Sequence, residues 1–179
     1  MTLLTIITPT FKRPIGLDFC RATVAAQVES REIQHLIVRD DIGKGVAGMY
    51  RDLPLVNEQI KGEWVFVLSD DDCLIYPALI PSLRAIVLEH QPDVIMVPQY
   101  YNGRLLPDPR CWHAPPECGF VTLSNWIVKR ELHTSIPYGA RYEGDFDFIS
   151  AVWKTEPRIA WWGQPISATQ RGANFGRAE

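Results

Sequence analysis

A chain of 179 residues with 46% hydrophobic content can bury one substantial core, so a single domain is expected. A formal net charge of -3 and the lack of a long basic run argue against a protein that draws its affinity from nucleic-acid phosphates, but they leave room for a small phosphorylated ligand. No apolar stretch approaches the roughly 18 residues of a membrane span, and Met1-Thr2-Leu3-Leu4 lacks the basic start of a secretory leader.

Leu3 to Thr8 is an apolar, β-branched run that predicts a first strand stopped by Pro9, and Leu17, Cys20, Val24 and Val28 then recur near a helical period. Ile33 to Val38 reads as a second strand ending in Arg39-Asp40-Asp41. The Gly43-Lys44-Gly45 loop after it suits either a phosphate cradle or, more simply, a flexible turn. Tyr50, Leu53, Val56 and Ile60 form the inner face of the next helix, whose start Pro54 blurs. Trp64 to Leu68 is a third strand. Pro77 opens a helix with Leu79, Leu83, Ile86 and Val87 facing inward, and Val94 to Val97 is a fourth strand.

This alternation predicts an α/β fold with a mainly parallel sheet between helices, in which ligands bind outside the carboxyl ends of the strands. Neither a GxGxxG after the first strand nor a GxxxxGK[ST] is present, which weighs against dinucleotide and P-loop sites. The second half is less regular. Gln99 to Gly119 reads as a long functional loop, Phe120 to Arg130 as β-rich, Ile136 to Gly144 as a turn region, Phe146 to Trp153 as a short helix and Ile159 to Trp162 as a last strand. The segment 168–179 reads as a mobile tail. Cys20, Cys73, Cys111 and Cys118 are scattered reduced thiols, and the spacing of Cys111, His113, Cys118 and His133 matches no common zinc module.

Asp70-Asp71-Asp72 closes the apolar run Trp64-Val65-Phe66-Val67-Leu68-Ser69. A strand that delivers three carboxylates into one loop concentrates charge that a hard cation can neutralise, and magnesium or manganese needs only one or two protein carboxylates. A solvated acidic turn is the simpler alternative, and the position after a buried strand favours metal.

Four segments occur in order: Thr5-Ile6-Ile7-Thr8-Pro9-Thr10-Phe11-Lys12-Arg13-Pro14, His35-Leu36-Ile37-Val38-Arg39-Asp40-Asp41, Gly62-Glu63-Trp64-Val65-Phe66-Val67-Leu68-Ser69-Asp70-Asp71-Asp72 and Tyr142-Glu143-Gly144-Asp145-Phe146-Asp147-Phe148. Together they resemble the family 2 glycosyltransferases, which have the GT-A, Rossmann-like nucleotide-diphospho-sugar transferase fold. The resemblance implies inverting transfer of a sugar from a UDP-sugar, UDP-glucose among the options, to a saccharide or other hydroxyl acceptor, with Mn2+ or Mg2+ as cofactor.

It also implies a division of labour. Asp72 is the expected metal ligand, with Asp70 on the donor ribose or a metal-bound water, and Asp71 sharing that role or shaping the turn. Thr8, Pro9, Thr10 and Arg13 are expected around the uracil, with Asp40 as the acid that recognises it. Asp145 is the expected base, although it and Asp147 would also suit a helix start as simple capping acids. No histidine follows His133 where the family often has one, so Arg171 is the expected diphosphate cation. Residues 1–98 then form the nucleotide-sugar half and 99–167 the acceptor half. A minimal cytoplasmic catalytic domain, bacterial or viral, follows as the expectation. Trp112, in the long loop, is the tryptophan expected to face the acceptor, while Trp126 and Trp153 are expected in the core. A nucleotidyltransferase and a non-catalytic nucleotide- or carbohydrate-binding module are the alternatives.

Overall fold

Seven consecutive buried residues form the first strand, β1 (Leu4–Thr10), of the computed structural model, which describes residues 1–169. There follow α1 (Pro14–Ala25), β2 (Ile33–Arg39), α2 (Gly45–Asp52), β3 (Trp64–Val67), β4 (Asp72–Leu74), α3 (Leu79–His90) and β5 (Val94–Met96). The second half holds β6 (Gln99–Tyr101), β7 (Arg104–Leu106), β8 (Trp126–Lys129), α4 (Arg130–Ser135), α5 (Gly144–Trp153), β9 (Ile159–Trp161) and β10 (Ser167–Thr169).

The central sheet has the order β2-β1-β3-β8-β5-β9. The pairings β1 with β2, β1 with β3 and β5 with β9 are parallel, whereas β8 runs antiparallel to both of its neighbours. A smaller sheet, β4-β10-β6-β7, stands beside it. Alternation along the strands splits the core into two layers. Leu4 and Ile6 of β1 and Trp64 and Phe66 of β3 pack with Cys20 and Val24 of α1 and Leu79, Ile80 and Leu83 of α3. Ile7, Val65 and Val67 face the other way, onto Tyr50 of α2 and Phe148, Ile149 and Val152 of α5. Each such aliphatic side chain taken fully out of water contributes about 1.5–3 kcal/mol.

Several expectations are corrected. β1 does not stop at Pro9 but runs through it to Thr10. Thr10 faces β2, where its carbonyl accepts from the Asp40 N–H, and Ile7 faces β3, where its carbonyl accepts from the Leu68 N–H. By alternation Pro9 faces the β3 side, one step past the last β1–β3 pair at Ile7 and Val67, so its missing N–H costs no ladder bond. The single helix expected across Tyr50 to Ile60 is α2 followed by a 3-10 turn, Leu53–Gln59, because Pro54 lacks the N–H that α2 would need to continue. The mainly parallel sheet is interrupted by β8, which inserts antiparallel between β3 and β5. The β-rich segment narrows to β8, and α4 follows it unforeseen. Ala168 and Thr169, expected in the tail, belong to β10.

Candidate active site

The parallel strands β1, β2 and β3 end on one rim, which gathers Thr10, Asp40 and the loop Ser69 to Asp72. Thr10 Oγ1 donates to Asp70 Oδ2 at 2.7 Å. Arg13, just ahead of α1, donates through Nη1 to Asp70 Oδ1 at 2.8 Å and to Asp71 Oδ2 at 3.1 Å. The Asp72 N–H turns back to the Ser69 carbonyl at 3.0 Å, and the Asp72 carboxylate enters β4, where Ser124 Oγ donates to it at 2.9 Å. Burial, and then the charge of Asp71, push the Asp72 carboxyl up to about 7, against support for its ionised form from Ser124, Gln99 and Thr169. Burial likewise raises the Asp71 carboxyl, opposed by Arg13.

A cavity of about 150 Å³ opens between the ends of β1 and β2 and the start of α2, lined by Pro9, Phe11, Val38, Val46, Met49 and Asp52 with Thr10, Arg13, Asp40 and Asp70. Asp40 accepts from the backbone N–H groups of Ile42 and Gly43 at 3.1 and 2.9 Å and also from that of Lys44. Its carboxyl is lowered, with slight burial opposing and these three donors prevailing. The Gly43-Lys44-Gly45 loop is therefore a turn closed by Asp40, and those N–H groups are not available to cradle phosphate. Gly43 has φ +79°, and a Cβ there would meet the Phe11 ring at 2.8 Å, so glycine is required to close the turn over that ring. Lys44 Nζ pairs with Asp52, a buried carboxylate on the cavity wall.

Thr8 is placed elsewhere than expected. It is fully buried, its Oγ1 bonds His35 Nε2 at 2.8 Å, and it does not line the cavity. Arg171 lies outside the described residues.

A larger cleft of about 530 Å³ joins the acidic loop to α5. Its lining includes Asp70, Asp71, Asp72, Gln99 and Ser124 together with Tyr50, Tyr101, Tyr142, Glu143, Asp145 and Phe146. Asp145 sits in the first turn of α5, where the helix dipole favours its charge. Burial raises its carboxyl, opposed by the Phe146 N–H and by a hydrogen bond from the Tyr50 hydroxyl. Asp147, two residues on, is spent differently: Arg141 grips both of its oxygens. Trp112 does not line this cleft. Its ring stacks on Trp161 of β9 at 5.6 Å, and its indole N–H donates to the Pro107 carbonyl.

The acidic loop suits a divalent cation of the magnesium or manganese kind. Every side-chain donor there is an oxygen, and Asp71 and Asp72 are ionised only at a cost that a bound cation relieves. Among the described residues no three His, Cys, Asp or Glu side chains gather as a protein-only metal cage, and a cation held by one or two carboxylates needs none. Sequence reasoning missed Tyr50 as a partner of Asp145, Asp52 on the cavity wall, and Ser124, Gln99 and Thr169 around Asp72. The polar pair Ser124-Asn125 directly ahead of an apolar strand was the one available signal.

No protein-family model matches the sequence, and no curated protein matches it. Solved structures do. S. aureus TarS 1-349 in complex with UDP matches with a TM-score of 0.69 at 15% identity, covering 97% of this chain and 62% of that one. Glucosyl-3-phosphoglycerate synthase from Mycobacterium tuberculosis, in complex with Mg2+ and UDP, matches at 0.62 with 16% identity over 96% of this chain and 72% of that one. A197 from STIV matches at 0.53 with 16% identity, covering 95% and 82%. The chain thus spans less than two thirds of the length of the TarS 1-349 structures. The sheet order, the rim of acids and these likenesses together establish that the chain has the GT-A fold.

Proposed function

We propose that this chain is a metal-dependent glycosyltransferase of the family 2 type, moving a sugar from a UDP-sugar to an acceptor hydroxyl with inversion. The observation that supports this best is the single cleft that joins Asp70, Asp71 and Asp72 to Asp145, with an adjoining small cavity, which shares Arg13 and Asp70 with it, at the ends of β1 and β2. The neighbouring structures that hold UDP, one of them with Mg2+, share this fold and lend the donor class.

The small cavity, apolar at Phe11, Val38, Val46 and Met49 and polar at Asp52 and Asp40, takes the nucleobase. Thr10 and Arg13 hold Asp70 toward the ribose and diphosphate side. Asp72, with Asp71 or Asp70, would hold the cation, which when bound neutralises the departing diphosphate. Asp145 takes the proton from the acceptor hydroxyl as the new bond forms, and a positioned base of this kind contributes about two to four powers of ten in rate. Because a single displacement places base and leaving group on opposite faces of the donor sugar, the anomeric configuration inverts.

Calorimetry with UDP, GDP and CDP, each with and without manganese, tests the donor half. UDP should bind best, and only with metal should it bind tightly. Preference for GDP, or indifference to metal, overturns the donor assignment. Asp72→Ala should lose the metal-dependent part of UDP binding, and Asp145→Asn should keep UDP affinity while losing transfer.

A further inference from the structure

The acceptor side of the cleft has a chemistry of its own. On β6, Gln99 and Tyr101 point to the same face because side chains alternate, so the strand that sends Gln99 toward Asp72 also sends Tyr101 into the cleft. Tyr142 stands near Tyr101, on the segment just before α5, and Phe146 completes the wall beside Asp145. Tyr101 and Tyr142 are 41% and 74% exposed, so their rings are presented to whatever enters rather than committed to the core.

Acids dominate the lining of this cleft. Glu143 and Asp145 line it together with Asp70, Asp71 and Asp72. Among the described residues, Arg13 is the one cationic side chain lining the cleft, and it is spent on Asp70 and Asp71. Arg141, the cation nearest to Asp145 in sequence, does not line the cleft and is held by Asp147 and Glu143. Among the described residues, a phosphate or carboxylate on the acceptor would therefore meet a lining in which carboxylates outnumber cations, a repulsion that disfavours binding. Aromatic faces with hydroxyl tips beside the Asp145 carboxylate instead suit a ring that is apolar on its faces and hydroxylated at its rim.

Resting on the transferase function proposed above, we infer that the acceptor is an uncharged sugar ring, seated on Tyr101 and Tyr142 with its reacting hydroxyl toward Asp145. The occupant is thus a neutral glycoside and not a phosphorylated sugar, a sugar acid or a phosphoglycerate.

The test separates the acceptor claim from the transferase claim. UDP binding in manganese is measured first, and failure to bind removes the transferase function and this inference with it. With UDP bound, p-nitrophenyl glucoside, galactoside and N-acetylglucosaminide are compared with glucose 6-phosphate, glucuronate and 3-phosphoglycerate by ligand-observed saturation transfer and by mass of the product formed from UDP-sugars. The neutral glycosides should show saturation transfer and yield disaccharide product. Binding or product confined to the anionic probes, or no binding by any neutral probe, overturns the inference while leaving UDP binding intact. Tyr142→Ala should weaken neutral-glycoside affinity about tenfold with UDP affinity unchanged, and Tyr142→Phe should restore most of it, since the ring face supplies the contact. Equal glycoside affinity in Tyr142→Ala and the parent chain also overturns it.

Discussion

The hydroxyl of Thr10 donates a 2.7 Å hydrogen bond to the carboxylate of Asp70, tying the end of β1 to the loop after β3 across 60 residues of sequence. Asp70 is only 2% exposed, so one of its oxygens depends on this donor and the other on Arg13. Thr10→Val keeps the shape and removes the donor. Leaving a buried carboxylate short of a hydrogen bond costs about 1–3 kcal/mol. Urea unfolding should show a loss of that size, and UDP affinity in manganese should fall about tenfold as the loop loses its anchor. Unchanged affinity would show that the bond shapes the fold without shaping the donor site.

A second prediction concerns Tyr50 and Asp145. As the proposed base, the Asp145 carboxyl must be ionised to take a proton. Burial works against that, and the Tyr50 hydroxyl bond works for it. Tyr50→Phe removes the favourable contribution, so the carboxyl moves further up and the acid limb of the kcat/KM profile should shift to higher pH, with the alkaline plateau little changed. Asp145→Asn should instead lower the rate at every pH by about two to four powers of ten. A Tyr50→Phe profile that scales down uniformly would assign Tyr50 a packing role alone.

The parts of this site that the sequence announced are those where local pattern and chemistry coincide. Asp70 to Asp72 interrupt an apolar run, so they stood out without any fold in hand. Asp145 had no such contrast, since Asp147 shares its helix turn, and only the family resemblance separated them; the structure adds that Arg141 claims Asp147. Gln99 and Thr169 reach Asp72 because β4, β10 and β6 pair across long separations, and Ser124 reaches it from the turn ahead of β8, and no local period encodes either. Tyr50 was legible as a buried helix residue, but the direction of its hydroxyl depends on how α2 meets α5. Trp112 was assigned by the general tendency of long loops to carry function, and the aromatic surface of Trp161 on β9 claimed it instead.

Asn125 supports the third prediction. It is fully buried, its amide donates to the carbonyls of Val97 and Leu106 at 3.1 and 2.9 Å, and its carbonyl accepts from the Thr122 N–H at 2.7 Å. These bonds hold the cleft-lining segment of Thr122, Leu123 and Ser124 against β5 and β7. Asn125→Ala leaves all three backbone groups without that partner, and a loss of about 3 kcal/mol is expected in urea, with the slope of the transition unchanged. Asn125→Asp should not rescue it, because a carboxylate cannot donate to two carbonyls.

Stability at low pH should depend on Asp93, far from the cleft. Partial burial raises its carboxyl, but the side chains of Arg158 and Lys129 and the Arg158 N–H outweigh that and hold it well below the usual carboxylate range. Lys129 Nζ lies 2.8 Å away and the Arg158 N–H 3.0 Å away. A depressed folded-state pKa adds stability that is fully present above the unfolded carboxylate value of about 3.9 and fades as pH falls below it. Asp93→Asn should therefore lower Tm at neutral pH, and the gap from the parent chain should narrow as the pH drops through that range. A gap independent of pH would mean that the loss is one of hydrogen bonding and not of charge.

Thiol chemistry provides a probe of the cleft that needs no substrate. Cys20 is buried, and its thiol is pushed up to about 12, chiefly by burial. Cys111 is also buried and Cys73 half-buried, and burial raises both thiols. Cys118 is exposed and lines the larger cleft. Since the thiolate is the nucleophile and access limits its reaction, iodoacetamide should alkylate Cys118 first, as peptide mapping would read. The small cavity and the partners of Asp72 do not include Cys118, so the alkylated protein should bind UDP with its original affinity. The added amide stands where a neutral glycoside would pass, so transfer to p-nitrophenyl glycosides should fall. Labelling that reaches Cys73 first would show that the 118–124 segment is closed over the cleft in solution, and loss of UDP affinity would place the donor nearer to Cys118 than the two cavities imply.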